Sequence, residues 1–293
     1  MSLSKKEIIY ILENKLNITE YTIHENLTVD VHQDVYFFKY SDIKSFIPFK
    51  FGIINGYFDI SNMNLISLKN SPDEIYGDFR CEDNMLTTLE DGPKIVHGKY
   101  FCNSNKLISL FGCPEEAEDS FYCYENQLTT LEYAPKIVKN HFNCKNNQLI
   151  SLIGCPEEIT GNFDCSVNKL ITLEYSPKIV HGDLFCSENN LATLFGCPKK
   201  IEGSFYCYKN KLTTLEHFPQ YIKEHLNIAE NNINEKEIHS FNCDIPGEIF
   251  SDFGDKAQFL HAVKIAKINK EKEDISNSFN LNENKLFNNK KRI

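Results

Sequence analysis

The sequence predicts an α/β repeat solenoid closed by a cap at each end. Three observations predict it. A 21-residue motif recurs eight times without a gap from Gly56, and a degenerate ninth copy begins at Glu224. The copies carry two alternating apolar residues, then an Asn in all but the first, two Leu and a Pro at fixed offsets, with the ninth losing the later marks. The segments before and after the array lose this period and take up helical patterning. A short fixed period means stacked identical units, each burying its apolar face on the next.

Residues 1–55 read as the N-terminal cap. Ser4 and Glu7 have capping-box spacing, and Ile8, Ile11 and Leu12 share one helical face. Strand-like alternation follows at Tyr21 and Ile23, then Leu27, Val29 and Val31, then Val35 and Phe37. Glu25-Asn26 is placed to turn the chain between two of these strands. Residues 34–55 read as a stretched first repeat marked by Ile43, Phe46, Pro48 and Ile53. A cap is needed because an open solenoid end exposes core and unpaired strand edge.

Residues 56–232 are the repeat array, numbered here 1 to 21 within each unit. Position 3 is aromatic or Leu, from Phe58 to Phe205, and position 5 is Cys in seven successive copies, Cys81 to Cys207. Alternation at 3 and 5 puts both side chains on one face of a short strand. Position 8 is Asn from Asn84 to Asn210, with Asn231 extending the column and Met63 breaking it at the start. A buried Asn there bonds backbone groups of neighbouring turns that are otherwise unpaired. Positions 10 and 13 are Leu throughout, and position 17 is Pro from Pro72 to Pro219. The proline ends the back segment and fixes its turn.

Residues 233–273 read as a C-terminal helical cap. Asp255 and Gln258 have capping-box spacing, and Phe259, Val263 and Ala266 share a face beside Leu260. Residues 274–293, rich in Asn, Lys, Ser and Glu, are expected to form a mobile tail.

The array resembles the leucine-rich repeat family. Phe163, Cys165, Asn168 and Leu170 match the second half of that family's mark residue by residue, with Cys in place of the usual Leu. It resembles the short cysteine-bearing repeat proteins of phages, large DNA viruses and bacteria. The resemblance implies a right-handed horseshoe or arc, with a parallel β-sheet on the concave side and short irregular convex segments. It also implies a non-catalytic protein-binding module.

Composition narrows the function. The net charge is -10 and the pI about 5.4, which argues against a general phosphate-binding surface and so against nucleic acid. No run approaches the length of a membrane span, and no signal peptide is evident, so a cytoplasmic location is expected, in the cell or in an infected host. The cysteine column lacks the paired spacing of a zinc site and reads as small buried hydrophobes; no metal or cofactor is expected. Cys113, Cys155 and Cys197 recur every 42 residues, part of an alternation between two kinds of unit. The same alternation places Glu115-Glu116, Lys136, Glu157-Glu158 and Lys178 up the stack, where opposite charges are expected to pair. Cys243 follows the array, but about 60 residues are too few for a catalytic domain of the kind some bacterial repeat effectors carry, and no enzyme is expected.

Candidate binding residues are those the core period does not need. Positions 4 and 6 face away from the core and read aromatic in two places: Phe101, Tyr122 and Tyr124, then Phe185, Tyr206 and Tyr208. Arg80 and Asp164 flank them. Positions 2, 4, 6 and 7 over nine units hold nine acids and four bases. An acidic face with aromatic anchors predicts a protein partner with basic or mixed charge. Self-association into a scaffold is the alternative, against a monomer as the first expectation, and an effector with activity in the end regions is a third reading.

Overall fold

The structure is a computed structural model that describes residues 3–37 and 45–290, and of residues 279–290 the backbone alone. Each repeat makes one turn of a solenoid with two short strands. The front strand occupies positions 3–4, as in Phe121–Tyr122, and pairs in parallel with the same positions of the units before and after. Front strands form one eleven-stranded sheet. It begins at Val35–Tyr36, runs through nine units, and ends at Ile249–Phe250. This is a parallel-strand solenoid, as the period predicts.

The back of the solenoid is more regular than expected. Positions 19–20 form a second strand in each unit, such as Ile137–Val138, in place of an irregular convex segment. Back strands form a five-stranded and a six-stranded sheet, divided between Ile95–Val96 and Glu116–Ala117. Position 17 proline delivers the chain into this strand, and position 20 (Ile75, Val96, Val138, Ile159) seals the core behind it.

The core is one continuous cluster. Phe at position 3, Cys at 5 and Leu at 10 and 13 are buried in unit after unit, for example Phe142, Cys144, Leu149 and Leu152. Successive position 3 rings pack along the axis, stacked at 5.8 Å between the Phe142 and Phe163 centroids and edge-on at 4.9 Å between Phe79 and Tyr100. The Asn column binds successive turns together. Asn147 Nδ2 donates to the carbonyls of Cys123 and Cys144 at 3.0 and 3.1 Å, and its Oδ1 accepts from Leu128 N at 3.0 Å. One side chain therefore satisfies backbone groups in its own unit and the unit before, where no water reaches.

Two positions carry left-handed backbone that the residue types do not announce. Position 7 has positive φ in all nine units, including Val167 at 55°. Position 15 does so in eight units, with Gly112, Gly154 and Gly196 alternating with Tyr133 and Tyr175. The glycines are also sites of close approach. A Cβ on Gly112 would meet the backbone of Leu89 and Glu90, and one on Gly154 that of Leu131 and Glu132. Among the described residues the backbone bond from position 13 to position 14 of the next unit occurs at these three places: Leu89 N donates to Phe111 O, Leu131 N to Ile153 O and Leu173 N to Phe195 O. The 42-residue alternation is thus a pairing of units two with three, four with five, and six with seven.

Charge pairing along that alternation is corrected. Among the described residues no ion pair joins Glu115, Glu116, Glu157 or Glu158 to Lys136 or Lys178. These side chains are exposed, and the backbone holds the register instead: Lys136 N donates to Glu115 O at 2.8 Å, and Glu157 N to Lys136 O at 3.0 Å. Ion pairs occur elsewhere, as where His97 bridges Glu74 and Glu118.

At the N-terminus, helix α1 (Lys5–Tyr10) has the reciprocal Ser4–Glu7 capping box and continues as a wider turn over Ile11–Lys15. Strands β1 (Tyr21–Ile23) and β2 (Val29–Val31) form an antiparallel hairpin, and β2 then pairs in parallel with Phe51–Ile54 to start the back sheet. The stretched first repeat has different marks from those expected. Phe46 and Ile53 are exposed, whereas Ile47, Phe49, Phe51 and Ile54 are buried. A register shift in the pairing with β2 turns Ile53 outward. Ile43 lies outside the described residues.

At the C-terminus, helix α2 (Lys256–Lys290) opens on the Asp255–Gln258 capping box, with both bonds at 2.9 Å. Phe259 is buried edge-on against Phe241, and Val263 and Ala266 follow on the same face. Lys256 Nζ clamps the preceding loop through the carbonyls of Ile245, Pro246 and Gly247. The helix runs to Lys290, past the boundary expected at residue 273.

Candidate functional site

The outward face of the front sheet is built from positions 4 and 6. Parallel pairing in register sets equivalent residues one strand apart, roughly 4.7–4.9 Å, which is close to ring-stacking distance. Phe101 and Tyr122 exploit this, with centroids 4.8 Å apart and planes 9° from parallel. Phe185 and Tyr206 repeat it at 4.8 Å and 2°. All four rings are partly exposed. The expected residues therefore fall into two groups. Arg80, Phe101, Tyr122 and Tyr124 form the first, and Asp164, Phe185, Tyr206 and Tyr208 the second.

In the first group the Arg80 guanidinium carbon lies 4.4 Å from the Phe101 centroid. Glu82 Oε1 and Asp78 Oδ2 hold it at 3.3 and 3.6 Å. The second Glu82 oxygen is buried without a partner, as is Asn103 Oδ1. Burial pushes the Glu82 carboxyl above its ordinary pKa, against the opposing pull of its own backbone amide and Arg80. Tyr124 is raised too, first by burial and then by Glu125 and Glu82.

The second group contains Asp164, which burial pushes above the usual carboxylate range despite the Ser166 amide and the nearby Lys145 charge. Asp164 Oδ1 accepts from Ser166 N at 2.9 Å. A hollow of about 470 Å³ runs over Asp164, Phe185, Ser187, Tyr206 and Tyr208, with Lys145 at its margin. A smaller one of about 230 Å³ lies between the two stacks, bounded by Tyr122, Asn143, Asp164 and Phe185. Ser187 Oγ is buried without a partner in the larger hollow. Sequence reasoning missed Glu82, Asn103, Asn143, Lys145 and Ser187 as members of these groups. Their signal was available, since all but Asn143 occupy position 6 beside the aromatic columns.

Other chemistry-bearing groups lie apart from this face. Burial raises the pKa of the column thiols Cys81, Cys102, Cys144, Cys165 and Cys186 well above the ordinary thiol value. A thiol held protonated is a poor nucleophile and a poor ligand. Cys243, half-buried after the array, is pushed up to about 12 by burial and then by Asp244. Among the described residues no group of three or more His, Cys, Asp or Glu is placed to hold a metal ion, and no helix is long and apolar enough to cross a membrane.

Comparison with known proteins is sparse. No family model matches the chain, and no curated protein does. Among solved structures it is similar to YopM from Yersinia enterocolitica WA-314, at 16% identity and a TM-score of 0.28, over 67% of this chain and 64% of that one.

Proposed function

We propose that the chain is a non-catalytic protein-interaction module that binds a protein partner on the outward face of its front sheet. One observation carries the reading: two pairs of aromatic rings stand stacked and part-exposed on that face, at positions the core does not require. Rigid aromatic side chains are the favoured anchors of protein interfaces, because they bury much area for little lost freedom. Nine acids against four bases on this face favour a partner with basic or mixed charge over nucleic acid. We read the protein as a monomer that acts in the cytoplasm of its cell or of an infected host.

The test is affinity capture from the natural host with the wild-type chain and with Tyr122→Ser and Tyr206→Ser together. The partner should be retained by the first and lost by the second, with unchanged circular dichroism. Capture that survives both substitutions refutes the reading.

A further inference from the structure

The molecule carries its own comparison for the second aromatic stack. At position 4, units two to four read Arg80, Phe101 and Tyr122, and units six to eight read Asp164, Phe185 and Tyr206. The strand pairings are equivalent: Arg80 opposes Phe101 as Asp164 opposes Phe185. In the first copy a guanidinium covers the outer face of the phenylalanine, and carboxylates hold its edges. In the second copy the rings stack as before, but a carboxylate stands where the arginine chain rises. The resident cation is gone and the local charge is reversed. The outer face of Phe185 has no cation over it among the described residues.

Two hollows flank this place, and both include Asp164 and Phe185. Within the larger one, Ser187 is 3% exposed and its Oγ has no hydrogen-bond partner. A buried acceptor left open beside an acid and a bare ring is complementary to a planar cation with several N–H donors. We propose that this is a receiving seat for an arginine side chain of a basic protein segment, with its guanidinium on the Phe185 ring and its N–H groups on Asp164 and Ser187 Oγ. The seat rests on the reading of this face as a protein-binding surface. Arginine fits better than lysine because its flat group stacks on the ring while its edge bonds the carboxylate. Lys145 is the nearby competitor. It is exposed and makes no ion pair among the described residues, so an incoming guanidinium displaces it readily.

The probe is N-acetyl-arginine N-methylamide, with the citrulline analogue as its neutral control of the same shape. Each is titrated into the full chain carrying ¹³C-labelled Phe and Tyr, and the ring resonances are followed. The arginine probe should shift Phe185 and Tyr206 saturably, and the citrulline probe should not. Asp164→Asn should weaken the binding at least about tenfold, as expected for removing one side of a desolvated charge pair. Lys145→Ala should strengthen it. Equal response to both probes, an unchanged affinity in Asp164→Asn, or shifts confined to Phe101 and Tyr122 each overturn the seat. Failure of the seat is separable from failure of the protein-binding reading. If Tyr122→Ser with Tyr206→Ser abolishes partner capture while the arginine probe leaves Phe185 unmoved, only the seat falls. If capture survives while the probe binds Phe185, only the broader reading falls.

Discussion

At the scale of single residues, strain and burial set where this chain gives up stability. Val167 is β-branched and holds φ at 55°, a conformation that crowds Cβ against its own backbone. Asn occupies the same place in unit five, at Asn146. Val167→Asn should therefore stabilise the protein by about 1 kcal/mol, seen as a higher urea midpoint at unchanged slope. Asp164 makes a second residue-scale prediction. Its raised pKa means the native state holds that proton more tightly than the unfolded state does. Stability then falls as pH rises from the ordinary Asp range through the folded pKa of Asp164. Asp164→Asn keeps an oxygen for Ser166 N and removes the buried charge. Its midpoint should exceed the wild type's at neutral pH, and the gap should close below the ordinary Asp range. A variant that is less stable at neutral pH would mean that Lys145 more than offsets the burial.

At the scale of elements, the loop at positions 13 to 15 decides how closely neighbouring units pack. Gly112 combines a φ of 97° with a backbone contact on Leu89 and Glu90, so a methyl group has neither the conformation nor the room. Gly112→Ala should cost about 1–3 kcal/mol in chemical unfolding and release the Leu89–Phe111 backbone bond, visible as faster amide exchange at Leu89. The elements also show what the sequence makes legible. The front strand was readable because Phe and Cys at positions 3 and 5 repeat an unambiguous alternation. The Asn column was readable because a polar residue recurs where the core must be dry. The back strand was not, because two residues such as Glu116-Ala117 or Lys200-Ile201 are too few to display a period. Left-handed position 7 was hidden because Asp83, Glu125, Val167 and Lys209 share no chemistry. Continuation of α2 beyond residue 273 was hidden by a composition of Asn, Lys and Glu with few apolar marks. The aromatic columns at positions 4 and 6 and the exchange of Arg80 for Asp164 were visible, but the stacking of Arg80 on Phe101 emerges only from strand register.

At the scale of the whole molecule, the chain is a one-dimensional stack in which each unit touches mainly its neighbours. Opening should then begin at the ends, although both are capped. The seven column thiols report this, since each is buried and reacts only when its unit opens. In native conditions Cys81 and Cys207 should be labelled before Cys144, with Cys113, Cys155, Cys197 and Cys243 replaced by Ala to remove the half-exposed background. Labelling of all seven at one rate would show a single cooperative unit, and labelling of Cys144 first would refute end-wise opening. Light scattering addresses assembly at the same scale: one species at the mass of a single chain excludes a self-stacking scaffold.

The pairing of units has a consequence for how such a chain can be lengthened or shortened. An in-frame deletion of 21 residues leaves two units of one kind in contact and strands a glycine loop without its partner. A deletion of 42 residues leaves every seam intact. Removing residues 140–181 would join unit four to unit seven, a junction of the same kind as the native seam between units four and five. The edited gene would encode Tyr122 directly beneath Phe185, with Asp164 gone. Two separate footholds would become one unbroken column of four rings, capped by Arg80, on a shorter protein with a different reach.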